Sequence, residues 1–285
     1  MRLCRAISFS RSSRCGSIEF AVRIFHGRAW TLLLVLLVGL PAASRALSGE
    51  IVVGAAASLR APVEEMVRDF ETDHPGTQVR VVFGASSSIA RQIEFGAPIG
   101  LYLSADTDWV TYLVNRSLVE EGAPFELASN RLVVVKRKGS SLILNTSSDL
   151  GLPAISRVAL PPASVPLGRY AREWLEGEGL AKSVESRMVV TEHAQATLAA
   201  VENGHSDIAI VYETDAIRSE KTEVLYEIPL RDQPRIVYSA TRVGLSPPTE
   251  EESALIDYLR SPRARTILEE AGFGPVIPPD RSRDP

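Results

Sequence analysis

Cysteine is nearly absent from this sequence, which contains two among 285 residues, Cys4 and Cys15. Both precede residue 47, where we expect the mature chain to begin. A mature chain without cysteine cannot form disulfides or thiolate metal sites. The sequence also lacks a G-x-S-x-G elbow, a G-x-x-x-x-G-K-[ST] phosphate loop and a G-x-G-x-x-G fingerprint. These absences exclude the common signatures of hydrolases and nucleotide-binding enzymes.

Histidine is scarce as well, and only His74, His193 and His205 occur after residue 46. None of them has another histidine at metal-ligand spacing, and we interpret each as a solvated surface residue. No arrangement of a nucleophile with a base is visible. The sequence therefore predicts a protein that is not an enzyme and needs no cofactor.

Positive charge is in deficit after residue 46. Residues 1–46 contain seven of the 31 basic residues and one of the 35 acidic residues, so the rest of the chain has 24 basic and 34 acidic residues, a formal charge of −10. A nucleic-acid partner needs a basic face, and none is visible. An anion bound by this protein must be held by local dipoles, because the global field repels it.

The first 46 residues are typical of a secretory signal peptide. Residues 1–28 are basic, residues 29–40 form a compact apolar run, and small residues lead to Ser44-Arg45-Ala46. The alternative is an uncleaved membrane anchor, although a spanning helix needs about 20 apolar residues. We expect cleavage near Ala46 and localisation in the periplasm.

From Glu50 onward, short apolar runs alternate with helical patterns, which predicts an α/β fold with largely parallel sheets. Strands are expected over residues 51–53, 79–83 and 101–103, and a second series begins at 132–135. The last residues, 277–285, are predicted to be a loose tail. Two α/β units fit two lobes with a cleft between them, but the pattern does not assign strands to lobes.

Two predicted strands pass through small and hydroxyl residues directly into a helix, at Ser58 and at Ser86. Helix N-termini carry unpaired N–H groups and a positive dipole end, so they bind anions readily. Serine is also a preferred helix N-cap, which is the structural alternative for each residue alone. Two such turns in succession, at strand ends of an open α/β sheet, indicate an oxyanion receptor.

The same segments resemble the periplasmic molybdate-binding proteins of ABC importers. The similarity runs from about Glu50 to Gly274 and rests on an ordered set of blocks. The blocks are Ala55-Ala56-Ala57-Ser58-Leu59, Phe83 to Glu94, Gly96-Ala97-Pro98, Leu103-Ser104-Ala105-Asp106, Val165 to Ala171 and Ile210 to Ala216.

The resemblance implies the type II periplasmic-binding fold, with two α/β lobes joined by two crossover strands and the ligand cleft between them. By that resemblance lobe 1 covers 47–128 and 238–285, and lobe 2 covers 129–237. The family's ligand positions fall on these residues: Ser58, Ser86, Leu167, Ala194 and Tyr212. Leu167 and Ala194 are implied to donate backbone N–H groups, and Tyr212 its phenolic O–H.

Four places depart from the family pattern. Gly100 stands where an acidic residue is common, and Leu160-Pro161-Pro162 where Asp often precedes Pro. Leu167 replaces a smaller residue, and His193-Ala194 replaces an acidic-apolar pair.

The implied function is capture of molybdate, and of tungstate, for delivery to an ABC permease and its ATPase subunit. By that reading the receptor is a monomer that meets the membrane only through the permease. The alternatives are a receptor for another oxyanion such as sulfate, the effector domain of a transcription regulator, and an enzyme that uses the cleft. The regulator would need a DNA-binding helix-turn-helix, and the N-terminal segment has the pattern of an export signal instead.

Overall fold

The computed structural model describes residues 49–276, so the predicted signal peptide and the predicted tail lie outside the described residues. Ten strands occur in this range. They are β1 (Gly49–Ala56), β2 (Thr77–Gly84), β3 (Leu101–Ser104), β4 (Phe125–Asn130), β5 (Leu132–Arg137), β6 (Val158–Leu160), β7 (Met188–Val190), β8 (Ile208–Tyr212), β9 (Thr222–Glu227) and β10 (Ile236–Arg242).

Nine α-helices connect or flank these strands within residues 49–276. They are α1 (Arg60–Asp73), α2 (Ser86–Glu94), α3 (Asp108–Val114), α4 (Pro166–Gly177), α5 (Ala181–Glu185), α6 (Ala194–Glu202), α7 (Glu213–Arg218), α8 (Glu250–Arg260) and α9 (Pro262–Glu270).

The strands form two five-stranded sheets, in the orders β2-β1-β3-β10-β4 and β7-β6-β8-β5-β9. In the first sheet β1 is parallel to β2 and β3, while β10 is antiparallel to β3 and β4. In the second, β6 is parallel to β7 and β8, while β5 is antiparallel to β8 and β9. The expectation of largely parallel sheets is therefore wrong. Half of the pairings are antiparallel, because each sheet ends in strands that carry the chain to or from the other sheet.

We call each sheet with its helices a lobe. In the first lobe, α1, α8 and α9 cover one face and α2 and α3 the other. Buried apolar residues such as Val63, Met66 and Phe70 attach α1, whereas Ile89 and Ile93 attach α2. Helices on both faces bury both sides of the sheet, which explains the continuous apolar runs of its parallel strands.

The second lobe has the same layered construction, with α4 and α5 on one side and α6 and α7 on the other. Strand β8 is buried along its whole length at the centre of this sheet. Tyr170 and Trp174 of α4 pack into the main core, whereas Leu198 and Val201 of α6 belong to a separate cluster.

The chain passes between the lobes twice. Arg131 alone separates β4 from β5, and the segment between β9 and β10 makes the return. The predicted lobe boundaries after residues 128 and 237 fall inside β4 and β10. Those boundaries stay a prediction.

Most predicted elements occur where the apolar pattern placed them. Helix α2 begins at Ser86, where the sequence predicts a helix to start. Ser261 separates α8 from α9, and Pro262 is the first residue of α9. The sequence reading missed β4 and β9, whose buried and exposed positions do not form the apolar runs of the other strands.

Candidate functional site

A pocket lies between the two lobes at the carboxyl ends of their parallel strands. From the first lobe it is lined by Ala56, Ala57, Ser58, Gly84, Ala85, Ser86 and Ala105, and from the second by Val165, Pro166, Leu167, His193, Ala194 and Tyr212. All five residues of the predicted ligand set line this pocket. Ligands of open α/β sheets bind at such strand ends.

Ser58 lies in a single 3-10 turn, Ala57–Leu59, between β1 and α1. Its side chain caps neither the 3-10 turn nor α1, because the N-cap of the turn is Ala56 and the N-cap of α1 is Leu59. The Ser58 hydroxyl instead lies 3.0 Å from the Tyr238 hydroxyl of β10, and both residues are buried. The N-cap alternative is therefore wrong for Ser58.

Ser86 is the first residue of α2, and the N-cap position before it is Ala85. The Ser86 hydroxyl oxygen accepts a hydrogen bond from the Ala105 amide at 3.0 Å. Since this bond uses an oxygen lone pair, the single hydroxyl proton stays available for another acceptor. Ser86 is buried and lines the pocket. Because Ala85 and not Ser86 occupies the N-cap position, the N-cap alternative is wrong here as well.

Tyr212 ends β8, and its side chain is buried with 1% of its surface exposed. Its hydroxyl has no hydrogen-bond partner among the described residues. Burial raises the pKa of Tyr212 well above its ordinary value, so the phenol keeps its proton. A buried O–H group normally has a partner, so an orphaned hydroxyl at a pocket wall is a candidate donor to a ligand.

Leu167 and Ala194 stand in the first turns of α4 and α6. Amides in a first turn have no partner within the helix, so both helices present N–H groups where they meet the pocket. The position of α4 depends on Gly168. A Cβ atom there would come within 2.2 Å of the Pro162 carbonyl oxygen and 2.4 Å of that of Pro161.

His193 is not the solvated surface residue that the sequence predicted. It lines the pocket and caps α6, where its Nδ1 accepts a hydrogen bond from the Ala196 amide at 3.2 Å. Burial lowers the pKa of His193, so the neutral ring is the stable form at neutral pH. Its role was missed because an isolated histidine carries no periodicity or spacing signal.

A contact across the cleft involves residues to which the sequence reading gave no role. Asp106, which follows β3, is fully buried, and its Oδ2 accepts a hydrogen bond from Nη2 of Arg169 on α4 at 3.0 Å. Burial raises the pKa of Asp106, while the Trp109 amide and the Arg169 guanidinium oppose that shift. Nearby, Nε1 of Trp109 donates to the Ser164 carbonyl at 2.9 Å.

Among the residues that the structure describes, none that lines the pocket is a lysine, arginine, aspartate or glutamate. Its polar groups are hydroxyls, helix-terminal amides and one capping histidine. Groups of this kind stabilise an anion through fixed dipoles. Their electrostatic interaction with the anion is stronger in a water-poor cleft than in bulk solvent. Within residues 49–276 there is no cluster of three or more His, Cys, Asp or Glu side chains able to hold a metal ion.

The departures from the family pattern lie in different places. Gly100 is outside the pocket, where its amide donates to Val52 and a Cβ would meet the Glu252 side chain. Leu167 contributes to the main core as well as to the pocket wall. The carbonyl oxygens of Pro161 and Pro162 lie close to Gly168, so these prolines affect the pocket through the position of α4.

Comparison with known proteins agrees with this arrangement. A sequence model described as bacterial extracellular solute-binding protein matches residues 51–274. The molybdate-binding protein ModA of Escherichia coli K12 is 33% identical over 231 residues, which are 79% of this chain and 89% of that protein. ModA of Haemophilus influenzae is 29% identical over 234 residues, 81% of this chain and 92% of that protein. The structure of the Azotobacter vinelandii periplasmic molybdate-binding protein matches with a TM-score of 0.70 at 21% identity, over 80% and 99% of the two chains.

The chain therefore belongs to the bacterial extracellular solute-binding protein family. The resemblance stated from the sequence is confirmed, and so is the fold, two α/β lobes of the type II periplasmic-binding kind. No helix within residues 49–276 is long and apolar enough to cross a membrane.

Proposed function

We propose that this protein is the substrate-binding component of an ABC importer that captures molybdate, and also tungstate, and delivers it to the permease. The observation that carries the proposal is the buried Tyr212 hydroxyl, which lines the pocket without a partner among the described residues. The identity with molybdate-binding relatives over most of both chains supports the choice of oxyanion.

In this proposal five donors surround the anion. The hydroxyls of Ser58, Ser86 and Tyr212 and the N–H groups of Leu167 and Ala194 contact its oxygens. A hydrogen bond to a charged group contributes about 1.5–3 kcal/mol, so several together suffice without an arginine or lysine. The dianion is a transported ligand, and no cofactor is required.

The ligand favours closure because its donors belong to both lobes. We assign residues 47–128 and 238–285 to lobe 1 and residues 129–237 to lobe 2, with the hinge at the two crossovers. The closed monomer docks on the permease, which works with its ATPase subunit, and it contacts the membrane only there. The proposal includes neither an enzymatic step nor a nucleic-acid partner.

Export completes the proposal. Residues 1–46 act as a cleaved signal peptide, and the protein works in the periplasm. The basic, apolar and small-residue regions of this segment support that assignment.

Isothermal titration calorimetry on the exported, purified protein tests the function. Molybdate and tungstate should bind tightly and with one site, whereas sulfate and phosphate should bind weakly, because sulfate is smaller and is held loosely in a pocket shaped for molybdate. Replacing both Ser58 and Ser86 by alanine should abolish tight binding. Equal affinity for sulfate and molybdate, or intact molybdate affinity in the double variant, would contradict the proposal.

A further inference from the structure

A buried hydrogen-bonded network lies behind Ser58. The Tyr238 hydroxyl is 3.0 Å from the Ser58 hydroxyl and receives a hydrogen bond from Nδ2 of Asn130 at 3.3 Å. The same Nδ2 donates to the Thr214 hydroxyl at 3.0 Å. All four residues are buried, so every proton in the network needs an acceptor within it or in the pocket.

The orientation of the Asn130 amide is fixed by its neighbour. Its Oδ1 accepts a hydrogen bond from the Arg131 backbone amide at 2.8 Å, which places the NH₂ group on the opposite side. An NH₂ group has two protons, and these go to Thr214 and Tyr238. Asn130 therefore acts on Tyr238 only as a donor.

The direction of the next hydrogen bond follows from this. The Tyr238 oxygen accepts from Asn130, and among the described residues the Ser58 oxygen is the only acceptor within hydrogen-bond distance of the Tyr238 hydroxyl. If Ser58 donated to Tyr238 instead, the Tyr238 proton would be buried without an acceptor, which is unfavourable. Ser58 therefore accepts from Tyr238, and its own proton is left for the pocket.

We propose that Tyr238 is a positioning residue for the anion, because its hydroxyl donates to Ser58 and so holds the Ser58 proton toward the ligand. This inference rests on the proposed function. It gives Ser58 the same arrangement as Ser86, whose oxygen accepts from the Ala105 amide. In both serines the acceptor capacity facing the protein is occupied, so the hydroxyl acts toward the pocket as a donor.

The network lies next to the two crossovers between the lobes. Asn130 is the last residue of β4 and Tyr238 lies in β10, the strands next to the two crossovers, while Thr214 belongs to the second lobe. The Tyr238 ring also packs against Tyr212 and Phe273, with ring centroids 5.8 and 5.1 Å away. Tyr238→Phe keeps these ring contacts and removes only the hydroxyl.

A double-mutant cycle separates positioning from packing. We expect Tyr238→Phe to weaken molybdate binding by about tenfold, because Ser58 without its positioning partner loses its hydrogen bond to the charged ligand. Ser58→Ala should weaken binding at least as much, and adding Tyr238→Phe to it should change the dissociation constant by less than about twofold, because Tyr238 acts through Ser58. Tyr238 does not contact Ser86. In a Ser86→Ala background, Tyr238→Phe should therefore still raise the molybdate dissociation constant by the same factor as in the wild type.

The outcomes are distinct. If the losses from Tyr238→Phe and Ser58→Ala multiply, or if Tyr238→Phe binds molybdate as the wild type does, the inference is wrong although the proposed function stands. If the wild-type protein binds no molybdate, the proposed function fails and this inference fails with it. Thermal unfolding of the ligand-free variants, measured in parallel, shows whether each one is folded.

Discussion

Arg169 and Asp106 form an ion pair across the cleft, with Nη2 of the arginine 3.0 Å from Oδ2 of the aspartate. Asp106 belongs to the first lobe and is completely buried, whereas Arg169 belongs to α4 of the second lobe and is partly exposed. Arg169 also reaches Asp108 at 3.1 Å. Because this ion pair joins the two lobes, we expect it to stabilise the proposed closed form.

Arg169→Met should weaken anion binding without touching the anion. The variant leaves the Asp106 carboxylate buried without its charge partner in the closed form, and such a loss is unfavourable. Because Arg169 is partly exposed, we expect a moderate effect, a rise in the molybdate dissociation constant of about tenfold. Calorimetry measures this, and small-angle scattering should show a smaller compaction on adding molybdate.

Arg80→Met is the matched control, because the ion pair of Arg80 with Glu50 is exposed and lies within the first sheet. It should bind molybdate as the wild type does. If the two variants have the same affinity, the pair across the cleft does not contribute to closure.

Tyr212→Phe should separate affinity from stability. It removes one donor to a charged ligand, which predicts a loss of affinity of about 10- to 100-fold. The ligand-free protein should be as stable as the wild type or more stable, since the deleted hydroxyl is buried and has no partner in the described part of the chain. Calorimetry and thermal unfolding without ligand check the two parts.

Tyr258→Phe serves as the control for Tyr212→Phe. The Tyr258 hydroxyl donates to Asp69 at 2.7 Å, and neither residue lines the pocket, so its loss should lower stability and leave affinity unchanged. A Tyr212→Phe protein that loses stability but keeps its affinity would place the hydroxyl in a structural role.

Gly168→Ala should damage the site through the position of α4. Its methyl group would clash with the Pro161 and Pro162 carbonyl oxygens, so the start of α4 must shift and carry the Leu167 amide with it. We expect at least about tenfold weaker molybdate binding, since the donor no longer points at the anion. Gly177→Ala, in the same helix, meets nothing within 4 Å and should bind normally. Equal binding by the two variants would show that α4 tolerates the shift.

Asp215 should make the stability of the protein depend on pH. Burial raises its pKa to about 7, although Arg218 and the hydrogen bond from Gln195 oppose the shift. Between about pH 4, its ordinary pKa, and pH 7 the carboxyl ionises in the unfolded chain but stays protonated in the native protein. Ionisation therefore favours unfolding, and Asp215 lowers stability progressively as the pH rises through this window.

Asp215→Asn removes that effect, so its gain in unfolding temperature over the wild type should be smallest at pH 4 and largest at pH 7 and above. Differential scanning calorimetry at several pH values measures the difference. The control is Asp207→Asn. Burial alone would raise the pKa of Asp207, but hydrogen bonds from Ser156 and Arg157 lower it. This variant should therefore be less stable than the wild type by a constant amount above about pH 4, the ordinary aspartate pKa, and the deficit should shrink only below that pH. A pH-independent gain for Asp215→Asn would contradict the assignment.

The sequence was most informative where one local pattern carries the structure. Ser58 and Ser86 stand out because small residues lead from a buried strand into a helix, and both face the pocket. Tyr212, Leu167 and Ala194 have no such local signal, and only the family resemblance indicated them. The antiparallel edge strands β4 and β9 were missed because most of their positions are partly or fully exposed and form no continuous apolar run.

Contacts between residues far apart in the chain could not be predicted from the sequence. Ser58 and Tyr238 are 180 positions apart, and Asp106 and Arg169 are 63 apart. No periodicity links such pairs, because the crossovers between the sheets decide which strand ends meet. The N-cap alternative for the serines could likewise be settled only by seeing which residue precedes each helix.

The central claim is that neutral donors from both lobes hold the anion, and a crystal structure of the exported protein with molybdate tests it most directly. Anomalous scattering at the molybdenum edge locates the anion without ambiguity. The account predicts molybdate in the pocket, with its oxygens within hydrogen-bond distance of the Ser58, Ser86 and Tyr212 hydroxyls and the Leu167 and Ala194 amides. An arginine or lysine in direct contact with the anion, or molybdate bound elsewhere, would contradict it.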